Sequence, residues 1–445
     1  MQERIVVVGL GYVGLTMAAC IANMGVRTIG IDSDERKIRL IKEGKSPIYE
    51  PHLKVMIRKA QNSGRMQVTN DFLNNVQNSK MTFITVGTPS YADGSIDLTQ
   101  VKSVTVELGE ILEKIRKYHL VVMRSTIPPG TTEEIIKKDL ESISGKYCGN
   151  DFGLCVNPEF LSEGSAVQNM QSPCRIIIGE YDTKSGDILE NFYQKVKFHN
   201  TPKIIRTTIP NAELIKYANN AFLATKISFI NSIANLCEKI PKSDVKAIAK
   251  AIGLDPRISP LFLGAGLGWG GSCFPKDLKV ILNFSKKLGI ELSIIDAIVR
   301  INRSQPLHIV KKIKDLLGDM TGKRIAILGL SFKPNTDDFR EAVSINIIDE
   351  LLKEDVKIHA YDPVAIENAK KIFDKKIFYS NSAKDCIEKT DCCIIVTEWD
   401  EFKKLKPHDF KVSMRRPLLI DGRRIYDPGE FSRELEYYAI GLGPR

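Results

Sequence analysis

The chain has 445 residues, 43% of them hydrophobic; at about 150 residues per domain this supports roughly three packed domains and excludes a disordered, tail-like protein. Its 64 Lys and Arg against 54 Asp and Glu leave +10, spread along the chain rather than gathered in a block, which suits polyanionic ligands such as nucleotides and argues against nucleic acid as partner. Nine cysteines without a CxxC pair, six histidines in no metal spacing, no apolar run near the ~18 residues of a membrane span and no signal-peptide pattern predict no disulfide scaffold, no metal and no membrane, in a reducing cytoplasm.

Residues 4–10 (RIVVVGL) are a β-branched run that ends in glycine, and residues 16–24 continue at helical spacing. A second burst at 26–31 ends at Asp32 and is followed by a helical pattern over 36–42, so the start of the chain reads as a βαβ unit. Further strands are predicted at 81–86, 120–123 and 153–156, with amphipathic helices between them such as 98–115. Strands alternating with helices imply a doubly wound parallel sheet. From 212 to about 240 there is one long Ala-, Leu-, Ile- and Asn-rich helix of roughly 40 Å. More helix runs to about 317, broken by a loop at 264–271. The segment 324–330 (RIAILGL) then repeats 4–10, and 355–362 (DVKIHAYD) repeats 25–32 (GVRTIGID). The expected fold is α/β: a Rossmann-like domain over 1–205, a central helical domain over 206–317 and a second Rossmann-like domain over 318–445.

Gly9, Gly11 and Gly14 fill G-x-G-x-x-G between a strand and a helix, with Tyr12 and Val13 inside the motif and Asp32 closing the next strand. Gly9 permits the turn, Gly11 lets backbone N–H groups approach a pyrophosphate and Gly14 lets helix and strand touch. Asp32 would accept from ribose hydroxyls and repel a 2′-phosphate, which favours NAD over NADP.

Outside this fingerprint, Cys273 follows a glycine-rich loop just ahead of a helix, where the helix N-terminus and Lys276 favour thiolate; it is the one cysteine that reads as placed to react. Glu159 and Glu163 would share a face if residues 157–164 turn helically, either as a water-activating pair or as solvated charge. Lys216 and Asn220, four apart on the long helix, suit oxyanion stabilisation or a polar helix interface. Thr126, in a Pro-broken turn after a strand, could hold a water or cofactor or only its own backbone, and the VGTP segment (86–89) carries the same ambiguity.

Together the segments GLGYVGL, PIYEP, VGTP, STIPPGTT, NPEFLSEG, NAELIKYANNAFLATKISFIN, GWGGSCFPKD, LGLSFKPNTDDFRE and DGRR resemble the UDP-glucose/GDP-mannose dehydrogenase family of nucleotide-sugar 6-dehydrogenases over nearly the whole chain. The resemblance implies a four-electron oxidation in which two NAD+ are used in turn to convert a C6 alcohol to a carboxylate. Cys273 would trap the aldehyde as a thiohemiacetal and then a thioester. Lys216 and Asn220 would stabilise oxyanions, Asp277 and a water on Thr126 would handle protons, and Glu159 would help water hydrolyse the thioester. For the cofactor the resemblance adds Lys37, Thr88, Thr126, Glu163 and Arg340. For the nucleotide sugar it adds Phe160, Leu161, Phe262, Leu263, Gly264, Ala265, Gly266, Gly270 and Lys333. Arg257 and Arg424 would reach the substrate from a neighbouring subunit, implying a homodimer built on the long helix, and the second α/β unit would bind UDP. GGSCFPKD favours the UDP-glucose and GDP-mannose branches over the N-acetylhexosamine ones. Two rivals stand beside this reading: a two-electron hydroxy-acid dehydrogenase, and a non-catalytic NAD-dependent sensor. Cys273 and the second nucleotide unit oppose the first. The second is opposed because Cys273, Lys216 and Asp277 are all present.

Overall fold

A computed structural model describes residues 4–444. The chain divides into two compact units, one comprising residues up to Asn219 together with Lys279–Leu288, the other Asn220–Leu278 and the rest from Gly289.

The first unit is built on an eight-stranded sheet of β1 (Arg4–Val8), β2 (Arg27–Ile31), β3 (Met66–Thr69), β4 (Met81–Ile84), β5 (His119–Met123), β6 (Phe152–Val156), β7 (Arg175–Glu180) and β8 (Lys203–Thr208), in the order β3-β2-β1-β4-β5-β6-β7-β8. Strands such as VVV in β1 and LVVM in β5 are buried on both faces, as expected where helices cover both sides of a parallel sheet. One core lies on each face: Leu15, Ile21, Phe83 and Phe192 belong to one, Val6, Leu108, Ile136 and Phe152 to the other. The expectation of a wholly parallel sheet needs one correction: β7 runs antiparallel to β6, pairing Cys155 with Glu180 and Val156 with Gly179. The predicted strands at 81–86, 120–123 and 153–156 coincide with β4, β5 and β6, and the predicted helix over 98–115 is Thr99–Lys114. Strands β3, β7 and β8 went unread.

The second unit carries a six-stranded parallel sheet of β9 (Arg324–Leu328), β10 (Lys357–Tyr361), β11 (Phe378–Tyr379), β12 (Cys392–Ile395), β13 (Leu418–Asp421) and β14 (Glu436–Ala439), ordered β11-β10-β9-β12-β13-β14. The predicted repeat is therefore topological: β1 and β9 occupy the same place in their sheets. It extends to hydrogen bonds. Gly9, at φ +91°, donates to the Ile31 carbonyl and Leu10 N–H donates to Asp32; Gly329, at φ +100°, donates to the Tyr361 carbonyl and Leu330 N–H donates to Asp362.

The long helix is Ile209–Cys237, 29 residues and about 43 Å at 1.5 Å per residue. Pro210 falls in its first turn, where no intrahelical N–H is needed. Helices Val245–Gly253, Phe274–Lys287 and Ser293–Leu317 follow. The asparagines and serines of the long helix hold the irregular segment before Phe274: Asn231 accepts from Gly266 N at 2.8 Å and Ser228 from the Trp269 indole at 2.9 Å. From the helix Ser293–Leu317, Asn302 brackets the Trp269 backbone and Gln305 donates to the Gly266 carbonyl. These bonds replace the ladder contacts that a buried loop lacks.

A Cβ on Gly14 would lie 1.9 Å from the Gly9 carbonyl oxygen and 2.4 Å from Thr85 Oγ1, a collision with backbone that no rotamer change relieves. Gly14→Ala is expected to cost about 1–3 kcal/mol through overpacking and to displace the turn after β1. A lowered Tm together with weaker NAD binding by titration is the expected result; unchanged values for both would show that the turn tolerates the shift.

Candidate active site

In the first unit the turn after β1 leaves open space at Gly11, where an added Cβ would meet nothing within 4 Å, directly before the helix Tyr12–Asn23. Backbone N–H groups at a helix N-terminus beside an open cradle fit a pyrophosphate. Asp32 is 8% exposed and accepts from Leu10 N at 2.7 Å and Asp34 N at 2.9 Å, with the half-exposed Lys37 ammonium at 3.3 Å. Oδ2 takes both Leu10 N and the Lys37 ammonium, whereas Oδ1 takes only Asp34 N and retains acceptor capacity for a ribose hydroxyl. These residues fit NAD. Asp362, the equivalent residue of the second unit, is saturated: its oxygens accept from the backbone of Leu330, Ser331, Val364 and Ala365 and from the Trp399 indole. It has nothing to offer a ribose, so the two repeats cannot bind the same way.

Thr88 and Thr126 come together at the ends of β4 and β5, Thr88 Oγ1 donating to the Thr126 carbonyl at 2.7 Å. Ser125 ties the same turn to Val86, and Glu213 of the long helix accepts from Gly130 N at 2.6 Å, Thr132 N at 3.0 Å and Thr132 Oγ1 at 2.7 Å. The turn carrying Thr126 is thus pinned on both sides. Burial pushes the Glu213 carboxyl up; the bonds from Thr132 and Gly130 pull it back only in part, to about 7.

Residues 157–164 do not turn helically, so Glu159 and Glu163 do not share a helix face. Glu159 is buried beneath the loop, where Lys216 Nζ reaches its Oε1 at 2.8 Å and its backbone oxygen at 2.9 Å, and Leu161 N donates to Oε2 at 2.5 Å. Burial raises the Glu159 carboxyl, but the Lys216 ammonium and these hydrogen bonds outweigh it and hold the group below the usual carboxylate range. Phe160 lies with the Arg175 guanidinium 4.2 Å and the Lys216 ammonium 5.6 Å from its ring centroid. The far end of the loop is fixed by Gly164 N, which donates to Tyr12 Oη at 2.9 Å and to Glu50 at 2.6 Å; Glu50 also accepts from Ala166 N at the start of the next helix. Tyr12 thus serves this loop, and Glu163 is carried on it just before Gly164.

In the second unit Cys273 is exposed and its carbonyl accepts from Asp277 N, which places it at the N-terminal boundary of the helix Phe274–Lys287. Asp277 is 1% exposed; Asn220 Nδ2 donates to its Oδ2 and Lys276 Nζ to its Oδ1, both at 2.6 Å. Lys276, expected to favour the Cys273 thiolate, is paired with Asp277, and the N-terminus of the helix also favours a thiolate there. Lys216 and Asn220 lie one turn apart on the long helix as predicted. Gly270 and Gly271 pack so tightly that a Cβ would lie 2.2 Å from the Glu341 carbonyl oxygen and 2.7 Å from the Phe332 ring, respectively, which brings the segments of Lys333 and Arg340 beside the cysteine loop. Arg340 is exposed and held by Asp338.

Phe262 is half-exposed with φ +66°, Leu263 is buried, Gly264 and Ala265 are open to solvent in full or in part, and Gly266 is buried. Arg257 is exposed and pairs with Asp255. Arg424 departs from expectation: its side chain is buried, pairs with Asp244 at 2.8 Å and donates to the Ile440 carbonyl, so it is used within its own chain rather than offered to a neighbour. Seven of the nine cysteines are buried, but Cys174 is exposed alongside Cys273. Burial pushes Cys20, Cys148 and Cys386 up to about 12. Sequence reasoning missed Glu50, Glu213 and Arg124; PIYEP and NAELIK were the only signals for the first two, since an acidic residue inside an apolar pattern marks a buried carboxylate needing donors.

A glycine turn closing the first strand of a doubly wound sheet, with a free-edged acidic residue at the end of the second, defines a dinucleotide-binding α/β protein of the dehydrogenase type. Three successive profiles of the UDP-glucose/GDP-mannose dehydrogenase family match: its NAD binding domain over residues 3–197, its central domain over 210–304 and its UDP binding domain over 326–428. The chain belongs to this family. It is 40% identical over 441 residues to UDP-glucose 6-dehydrogenase TuaD of Bacillus subtilis, covering 99% of this chain and 93% of that one. To UDP-glucose 6-dehydrogenase of Rickettsia conorii it is 42% identical over 444 residues, covering 98% and 99%. Among solved structures, a UDP-glucose dehydrogenase from Pyrobaculum islandicum superposes with a TM-score of 0.90 at 34% identity, covering 100% of this chain and 98% of that one. No helix among the described residues is long and apolar enough to cross a membrane, and no group of three or more potential metal ligands occurs among them.

Two outcomes follow. Removing the ammonium alone strands a buried carboxylate, so Lys216→Met should cost about 3–5 kcal/mol, while adding Glu159→Gln should restore part of it; denaturant melts of the singles and the double measure this, and additive losses would dismiss the pairing. Because the folded Glu213 pKa lies above the unfolded value, the stability it contributes is complete below about 4.5 and is lost as pH rises through about 7. The Tm of wild type relative to Glu213→Gln should therefore fall between pH 5 and 8, and a flat difference would contradict the shift.

Proposed function

We propose that the chain oxidises UDP-glucose at C6 to UDP-glucuronate with two NAD+, through a covalent intermediate on Cys273. The observation that carries this reading is an exposed cysteine at a helix N-terminus with a buried Asp277–Asn220 pair behind it, an arrangement that hydride transfer alone does not require.

NAD, held by Gly9, Gly11, Tyr12, Val13, Gly14, Asp32, Lys37, Thr88, Thr126, Glu163 and Arg340, would supply the hydride acceptor for each oxidation. The rest falls to the chain's own groups. As the alcohol becomes an aldehyde, its hydroxyl proton leaves by a water on Thr126 and Asp277. The Cys273 sulfur then adds to the aldehyde carbon, and the carbonyl oxygen becomes an oxyanion that receives hydrogen bonds from Lys216 and Asn220, each worth about 3 kcal/mol if well aimed. After the second oxidation the carbon is a thioester. Water attacks it, its proton passing to Glu159, which is ionised at neutral pH because of Lys216; the C–S bond breaks and the thiolate returns. A covalent stop at the aldehyde level explains how one site performs both oxidations without releasing the aldehyde.

Residues Phe160, Leu161, 262–266, Gly270 and Lys333 would hold the nucleotide sugar, with Arg257 contributed by the other subunit of a homodimer. Residues 1–205 would serve the cofactor, 206–317 the dimer contact and 318–445 the UDP moiety, in the cytoplasm. That family relatives of this length and identity are UDP-glucose 6-dehydrogenases favours glucose over the alternatives, GDP-mannose and the UDP-N-acetylhexosamines.

Purified protein offered UDP-glucose, GDP-mannose, UDP-N-acetylglucosamine and UDP-N-acetylmannosamine should turn over the first fastest and form close to two NADH per sugar, with the acid as product by mass. One NADH per sugar would point to a simple alcohol dehydrogenase instead. Cys273→Ser should lose net acid formation by several orders of magnitude while still binding nucleotide sugar; acid produced at the wild-type rate would overturn the covalent route.

A further inference from the structure

On the first unit, beside residues 157–164, lies a cavity of about 170 Å³ whose walls include Arg124, Arg175, Phe160, Leu161, Phe198 and Cys174. Arg124 follows β5 directly and is 7% exposed. Its guanidinium donates to the carbonyl and side-chain oxygens of Asn157, to Tyr193 Oη at 3.5 Å and to Met170 Sδ at 3.9 Å, and its Nε has no partner. Every acceptor is neutral. The Asn157 oxygen is shared, since Tyr193 Oη donates to it at 2.6 Å. Arg175 donates to Cys174 Sγ at 3.3 Å and to Asn219 Oδ1 at 2.8 Å and lies over Phe160. Neither arginine makes an ion pair with a carboxylate among the described residues. The field of Arg124 reaches Glu159, but that carboxylate is already bound by Lys216, so Lys216 and Arg124 share one anion and Arg175 adds a further positive charge at the cavity wall.

Arginine cannot shed its proton to escape burial, and a buried charge without a counter-charge is costly. The cavity can admit the missing charge: at about 30 Å³ per water its volume holds several waters or one small anion, and Ser172 and Cys174 at its rim are exposed. A carboxylate is satisfied by one guanidinium fork; two guanidinium groups on one cavity suit the greater charge and third oxygen of a phosphate-type ion. We propose that this cavity binds a small tetrahedral oxyanion, inorganic phosphate or the phosphoryl end of a small metabolite, between Arg124 and Arg175. Through Phe160 and Leu161, which line it, the anion fixes the loop that carries Glu159.

Cys174 stands at the site and reports on it without turnover, so the outcome is independent of the reaction proposed above. Iodoacetamide labelling of Cys174, followed by peptide mass spectrometry at constant ionic strength, should slow severalfold and saturably with inorganic phosphate or phenyl phosphate but not with chloride. Whichever of the two protects at the lower concentration tells a free ion from a substituted phosphoryl group. Arg124→Met and Arg175→Met should each abolish the protection, measured as a ratio within each variant. Should Arg124→Met fail to fold, the partly exposed Arg175→Met and the charge-preserving Arg124→Lys, expected to weaken but keep protection, carry the test. No phosphate effect on Cys174 in wild type, or the same protection in folded Arg175→Met, overturns the proposal.

Discussion

The constraint on which the first unit turns is that Lys216 and Glu159 are both removed from water and must meet. A buried ion pair repays its desolvation only where geometry is tight and the remaining hydrogen-bonding capacity is met. Here two of the three ammonium hydrogens point at Glu159, and the other carboxylate oxygen takes the Leu161 N–H. The loop after β6 therefore has to lie against the long helix, although it has no regular structure of its own. Its other end is fixed by the same logic at Gly164, where Tyr12 and Glu50 accept the backbone N–H. Those two residues come from the dinucleotide turn and from PIYEP, so segments far apart in sequence converge on one loop because its backbone polar groups must be satisfied.

The two α/β sheets show how one topology is given two chemical purposes. Both close the turn after the first strand with an aspartate at the end of the second, and both put a glycine at positive φ there. What differs is what remains of the aspartate. Asp32 keeps acceptor capacity beside an open glycine cradle. Asp362 is filled by four backbone donors and an indole, and its sheet has no second and third glycine to open a helix at the turn. The fold alone would suggest two dinucleotide sites, and the hydrogen bonds allow one.

Much of this was legible in sequence because it depends on local rules. The turn at Gly9 and the helix boundary at Cys273 each follow from residues within a few positions of one another, the long helix from an unbroken apolar stretch, and the repeat from the match of RIVVVGL with RIAILGL. Strands β7 and β8 are marked at their starts by Ser172-Pro173 and Asn200-Thr201-Pro202, so turn residues at their flanks do not account for their being missed, and the reversal at β7 depends on a pairing partner that spacing cannot name. Glu159 and Glu163 misled for a related reason: i, i+4 spacing means a shared face only on a helix, and Pro158 together with the demands of the buried ion pair keeps the segment irregular. Lys276 and Arg424 were given outward roles, yet each has a carboxylate of its own unit at 2.6–2.8 Å. A cation beside an active-looking residue says little about its task until the competing anions are known.

The cysteines carry the same argument to the reactive group. A thiol becomes a nucleophile only as thiolate, and burial opposes that charge; it pushes Cys20, Cys148 and Cys386 up to about 12 and raises Cys155, Cys392 and Cys393 as well. Exposure therefore filters nine candidates down to Cys174 and Cys273. The environments of these two then separate them. Cys174 accepts a hydrogen bond from an arginine at the rim of a cavity in the first unit. Cys273 sits at the start of a 14-residue helix with the buried Asp277 one turn along it. Of the two thiols it is Cys273 whose helix also carries a buried carboxylate, Asp277, held by the Asn220 amide of the long helix.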